Sequence, residues 1–222
     1  ERWYFLSGLD VLASHGTGTV ALFGDSITDG YGVPADSYGR WSDHLSLRFQ
    51  TSDATRHRGV LNLGIGGNRL LLDGLGPNAM ARFERDVLGQ AGISHVIILE
   101  GVNDLGVLTR DAPASADAHT ALVRQMIGAY QQMIARARAR GIVAVGATIM
   151  PFAGSAYYHP EAPTEADRQA VNAWIRQPGN FDAVIDFDRI MGDPARPDHL
   201  NPDYDSGDGL HPSLAGYRAM AD

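Results

Sequence analysis

An α/β domain built around a parallel sheet is the fold this sequence predicts, and three features carry the prediction. Apolar runs of strand length recur along the chain, longer segments with helical spacing of their apolar residues lie between them, and several runs end on small, polar, glycine-rich turns. Alternation of this kind is what parallel strands joined by helical crossovers produce. The chain has 222 residues, a length at which one domain buries well over half of its unfolded surface. Residues 1–222 are therefore expected to form a single domain, with residues 1–18 as a lead-in to the first strand.

Strands are predicted near 19–24, 59–64, 94–100, 142–149 and 182–187, and helices near 40–50, 78–90, 116–140 and 163–177. The third helix has the clearest pattern. Leu122, Met126, Tyr130, Met133, Ile134 and Ala137 recur at spacings of three and four, which makes one apolar stripe for the core, and Gly141 follows as a stop. Two loops, 151–163 and 192–212, are long and rich in Pro, Gly and Asp, and long loops in a compact domain tend to carry function. The aromatic cluster Trp3, Tyr4 and Phe5 is expected to pack on the domain or on an N-terminal partner. A start at Glu1 and a stop at Asp222 inside an expected helix suggest that both ends are trimmed.

Composition narrows the function. A net charge of −8 with scattered cations argues against a nucleic acid partner, since phosphate binding relies on clustered Lys and Arg. The densest group, Arg136, Arg138 and Arg140, falls at a helix end, where it complements the helix dipole. The chain has no cysteine, which removes disulfides, thiolate metal sites and a cysteine nucleophile and is compatible with secretion. Apolar runs such as Val96-Ile97-Ile98-Leu99 are far short of a bilayer span, so a soluble protein with no membrane span is expected.

In a parallel sheet the loops that follow the strands converge on one edge. Here they supply Gly24-Asp25-Ser26, then Gly64-Ile65-Gly66-Gly67-Asn68, then Glu100-Gly101-Val102-Asn103-Asp104, and the last long loop adds Asp208 and His211. Taken singly these are ordinary turns, caps and a surface histidine. Together they are complete for acyl transfer. Ser26 is a candidate nucleophile and needs a base to take its proton, which His211 can do. Asp208 stands three residues earlier, and on one helical turn it could reach the imidazole and fix its tautomer. The Ser26 N–H, the Gly67 N–H and the Asn103 amide are candidate donors to an oxyanion.

The four segments "GDSITDG", "GIGGN", "GVND" and "DGLH" resemble the sequence blocks of the GDSL or SGNH hydrolase superfamily, and the likeness runs from Gly24 to His211. The resemblance implies Ser26 as nucleophile, Gly67 rather than Gly66 and Asn103 as oxyanion donors, and Asp208 and His211 as its Asp-x-x-His pair. It implies a three-layer α/β/α sandwich with a five-stranded parallel sheet ordered 2-1-3-4-5, a serine esterase activity, and no metal or other cofactor. Through "GNRLL", "RQAVNAWIR" and "FDAVIDFD" the chain is closer to bacterial secreted-type esterases, some of which carry an extra N-terminal β domain. The expected substrate is a small-molecule or carbohydrate ester with a short acyl group, acetyl foremost. Lipases, lysophospholipases and thioesterases of the superfamily are the alternatives.

Three other readings fit less well. Asp203, Asp205, Asp208, His199 and His211 lie close in sequence, but their spacing matches neither an EF-hand nor a zinc-binding helix. The stretch "GIGGNR" lacks both nucleotide-binding fingerprints. A non-catalytic carbohydrate-binding module could use Tyr157, Tyr158 and Trp174, but has no use for all four blocks.

Overall fold

The computed structural model describes residues 8–13 and 16–222. The aromatic cluster Trp3, Tyr4 and Phe5 lies outside them. Five parallel strands form the main sheet in the order β2-β1-β3-β4-β5, as the sequence led one to expect: β1 (Gly18–Gly24), β2 (Arg58–Gly64), β3 (Ile93–Leu99), β4 (Val143–Ala147) and β5 (Ala183–Ile185). The central strands carry continuous apolar runs, 20–23 in β1 and 96–99 in β3, because both of their faces are covered there. Ala21, Leu22 and Phe23 of β1 and Val96, Ile98 and Leu99 of β3 are all buried.

Helices cover both faces. On one side lie α3 (Ala79–Phe83), α4 (Val102–Arg110), α5 (Ala116–Ala139) and α6 (Ala162–Arg176); on the other lie α2 (Trp41–Gln50), α7 (Phe187–Met191) and α8 (Leu214–Ala219). The predicted stripe of α5 is the core face, with Met126, Tyr130, Met133, Ile134 and Ala137 buried and Leu122 half-buried against them. Ser115 starts this helix by accepting the Ala118 N–H at 3.3 Å. Arg136 and Arg140 do more than face a helix end, since both pair with Glu84, while Arg138 pairs with Asp182.

Several elements differ from the sequence pattern. The segment expected as one helix near 78–90 is α3 followed by a widened turn, Glu84–Leu88, closed by a Gly89 N–H to Glu84 C=O bond of 2.8 Å. Ser26 opens a four-residue helix, α1 (Ser26–Asp29), and is not in a plain turn. The loop 192–212 contains a two-stranded antiparallel hairpin, β6 (Gly192–Asp193) and β7 (Arg196–Leu200). Among the described residues no helix is long and apolar enough to cross a membrane.

The register aligns the three loops that matter. Gly24 ends β1 directly beside Gly64 of β2 and Leu99 of β3, so the segments after all three strands leave the sheet side by side. Gly64 is also where α1 passes over β2, and a Cβ there would overlap the Asp29 nitrogen and the Thr28 carbonyl carbon. Those are backbone atoms that cannot swing aside. Gly64→Ala is accordingly expected to lower stability by about 1–3 kcal/mol and to reduce activity with it. Gly128, inside α5 with open space where its Cβ would stand, behaves oppositely. Gly128→Ala should raise stability by about 0.5–1 kcal/mol, both changes being read from denaturant unfolding.

Candidate active site

The Asp25 carboxylate caps α1 by accepting the Ile27 N–H at 2.9 Å, and Gly30 ends that helix after a single turn with a positive φ. This places Ser26 at the first helical position, just past the carboxyl end of β1. Its Oγ lies 2.9 Å from Nε2 of His211, a residue 185 positions later in the chain. Nδ1 of His211 lies 2.6 Å from Oδ2 of Asp208. A carboxylate can only accept, so Nδ1 carries the imidazole proton and Nε2 is free to accept from the serine.

Asp208 and His211 do not share a helical turn; they sit in a bend before α8. The pair is brought together because Oδ1 of Asp208 accepts the N–H groups of Leu210 at 2.9 Å and His211 at 2.8 Å, which folds the chain around the carboxylate. Burial opposes the charge on Asp208, but these bonds and the one from the His211 ring outweigh it and hold its carboxyl below the usual range. On one face of the imidazole lies the ring of Tyr31, with centroids 4.0 Å apart. Tyr31 is 57% exposed, and its backbone carbonyl is tied to the Tyr217 hydroxyl at 2.9 Å.

The candidate donors come from the neighbouring loops. Gly67 has φ +71°, a conformation costly for any residue with a Cβ, and follows β2 in a turn closed by the Asn68 N–H to Ile65 C=O bond of 3.0 Å. Asn103 lies in the first turn of α4, and its Nδ2 donates to the Asn68 carbonyl at 2.7 Å. That bond holds the two loops together. Among the described residues neither the Ser26 nor the Gly67 N–H donates to a protein acceptor.

Several residues of this region were given no part in the site by the sequence reading. Asp104 accepts the Leu70 N–H at 2.6 Å and the Leu71 N–H at 3.0 Å, fixing the chain just after Gly67. Arg82 is buried beneath the loops and bonds to Gly24, Leu63, Asn68 and Glu100. Tyr158 donates to Oδ1 of Asn103 at 2.6 Å. Asp104 was visible through its place directly after Asn103, and Tyr158 only as an aromatic in a long loop. Of the other residues weighed for a metal, His199 is engaged with Asp198, and Asp205 with the Gly207 and Gly209 N–H groups. Among the described residues no cluster of three or more His, Asp or Glu is arranged to hold a metal ion.

Beneath Ser26 three carboxyls, Asp25, Glu100 and Asp104, are buried around one guanidinium, Arg82. Burial pushes Asp25 up to about 7, with the Asp104 charge adding to it, and pushes Asp104 up to about 6. Glu100 is raised well above the usual range by burial and by Asp25. From the ordinary 3.8 up to about 7 the folded chain therefore holds protons at these sites that the unfolded chain has released. Their contribution makes stability fall as pH rises through that window. Asp25→Asn, which keeps an oxygen for the Ile27 N–H, should make the loss of stability between about pH 5 and 7 shallower than in the parent, measured by urea unfolding at each pH.

The GDSL-like lipase/acylhydrolase family model matches residues 22–219. Solved structures with the same fold include an acetyl xylan esterase, 22% identical with TM-score 0.67, covering 92% of this chain and 96% of its own. A GDSL-like lipase from Bacteroides thetaiotaomicron is also 22% identical, with TM-score 0.65 and coverage of 91% and 83%. A psychrotrophic esterase from a Pseudoalteromonas species, in a structure inhibited by monoethylphosphonate, is 19% identical with TM-score 0.63, covering 92% and 93%. No curated protein matches the chain. The family match spans all four sequence blocks and most of the sheet that brings them together, and the chain belongs to the GDSL-like lipase/acylhydrolase family of carboxylic ester hydrolases.

Proposed function

We propose that this hydrolase is a serine esterase that removes short acyl groups, acetyl foremost, from a water-soluble alcohol such as a sugar, through an acyl-enzyme. The observation that carries the reading is the continuous relay from Ser26 Oγ to His211 to Asp208, at 2.9 Å and 2.6 Å. Ser26 Oγ attacks the ester carbonyl and passes its proton to Nε2 of His211, while Asp208 stabilises the imidazolium. The negative charge that develops on the carbonyl oxygen is received by the Ser26 and Gly67 N–H groups and by Nδ2 of Asn103. His211 then returns the proton to the alcohol oxygen as the C–O bond breaks. Water, deprotonated by the same imidazole, attacks the acyl-serine, and Oγ leaves with the proton.

The direction of proton return assigns the two sides of the cleft. The alcohol must lie against His211, and so beside the exposed ring of Tyr31 that flanks the imidazole. A flat aromatic surface at that place suits the C–H face of a sugar. The carbonyl end lies at Gly67, against which the exposed Leu75 packs. One structural neighbour is an acetyl xylan esterase, which supports the same reading. A polymeric sugar ester as substrate would place the enzyme outside the cytoplasm.

The test is hydrolysis of p-nitrophenyl esters from acetyl to long-chain acyl, with Ser26→Ala alongside. Turnover should be highest on acetyl, fall by at least about 10³-fold in Ser26→Ala, and be unaffected by EDTA. Rates that climb with chain length would favour a lipase instead. Absence of Ser26-dependent turnover on every ester would refute the mechanism.

A further inference from the structure

The donor amide of the site has a partner outside the loops that end the first three strands. We propose that Tyr158 is a positioning residue of the oxyanion hole, its hydroxyl fixing the Asn103 amide so that one Nδ2–H is left facing the reacting carbonyl. The inference rests on the serine-esterase reading above.

An amide side chain has two N–H donors and one oxygen acceptor. In Asn103 the oxygen receives the Tyr158 hydroxyl at 2.6 Å, at the short end for a neutral O–H···O bond. One N–H goes to the Asn68 carbonyl at 2.7 Å. A flipped amide would set its oxygen against that carbonyl, two acceptors face to face, and would lose that bond. Asn103 is 3% exposed and Tyr158 4%, so no solvent bond replaces it. One N–H remains for a ligand. Donation into Oδ1 also draws electron density away from nitrogen, which makes the remaining N–H a stronger donor when charge develops.

The surrounding chain holds the phenol for this purpose. The Tyr158 ring lies on α4 at Gly106, one turn beyond Asn103, where a Cβ would overlap the ring. Its edges meet Phe152 and Tyr157, and its own N–H reaches Ser155 Oγ at 3.3 Å. The next residue, His159, has φ +48° without being glycine. Backbone strain of this kind persists where the surroundings insist on one geometry. Burial also pushes the phenol of Tyr158 up, so it stays a neutral donor throughout the range in which the enzyme works.

A purely structural tyrosine would be replaced by phenylalanine without consequence for catalysis. Tyr158→Phe keeps the ring and removes the hydroxyl. On p-nitrophenyl acetate it should lower kcat about ten-fold with KM within about two-fold, the size expected for one neutral hydrogen bond, in a protein that remains folded with Tm lowered by only several degrees. The decisive comparison is made in an Asn103→Ala background, where the substitution should cost nothing further because the group it acts through is gone. An equal loss in both backgrounds, or none in the parent, overturns the proposal. If Ser26→Ala and Asn103→Ala also retain full activity, the serine-esterase reading has failed. If those two are impaired and Tyr158→Phe matches the parent, only the role of Tyr158 has.

Discussion

The site depends on one buried cation. Arg82 is 2% exposed and donates to the Gly24 carbonyl at the end of β1 (2.9 Å), the Leu63 carbonyl in β2 (2.8 Å), the Asn68 side chain (2.8 Å) and Glu100 just after β3 (3.1 Å). Its guanidinium lies 4.0 Å from the centroid of the Phe23 ring. A planar fork with five donors can join three strand ends in this way, whereas an ammonium cannot. Burying it is costly unless each donor is satisfied and the charge is compensated. Asp86 compensates the charge and Glu100 accepts one of the donors, while raised protonation at Asp25, Glu100 and Asp104 avoids the larger cost of three buried carboxylates under one guanidinium.

With the strand ends joined, the chemistry above them needs few further devices. Asp25 starts the short helix that presents Ser26; Asp104 fixes the chain after Gly67; Asn68 links that chain to Asn103. The base arrives from the far end of the sequence in a loop closed on itself by Asp205, Asp208 and the Ser206 N–H to His211 C=O bond of 3.0 Å. Rigid elements supply the candidate nucleophile and donors, and a self-bonded loop supplies the imidazole. Preorganisation of this kind is what lets neutral dipoles stabilise a developing charge.

Much of this was legible in the sequence, for identifiable reasons. Strands β1 and β3 are buried on both faces and so read as unbroken apolar runs, while α5 is amphipathic and reads as a stripe. Ser26, Gly67, Asn103, Asp208 and His211 could be nominated because each falls in a short polar stretch among apolar runs, and the family resemblance chose Gly67 over Gly66. Helix α4 was missed because "VNDLGVLTR" opens on polar residues and is interrupted by Gly106, although both features serve the site. Arg82 and Glu100 are unreadable as buried: alone in sequence, each is an ordinary surface charge, and only the fold supplies the partner. Tyr157 and Tyr158 are adjacent and chemically identical, yet one is 58% exposed and the other is bonded to Asn103. No pattern in the chain separates them.

The most direct measurement is a crystal structure of the protein after reaction with a small organophosphonate, whose tetrahedral phosphorus stands in for the attacked carbonyl carbon. The account predicts a covalent bond from phosphorus to Ser26 Oγ, with the phosphonyl oxygen within hydrogen-bond distance of the Ser26 and Gly67 N–H groups and Nδ2 of Asn103. Phosphorus on any other side chain, or an adduct on Ser26 whose phosphonyl oxygen turns away from those three donors, would contradict it.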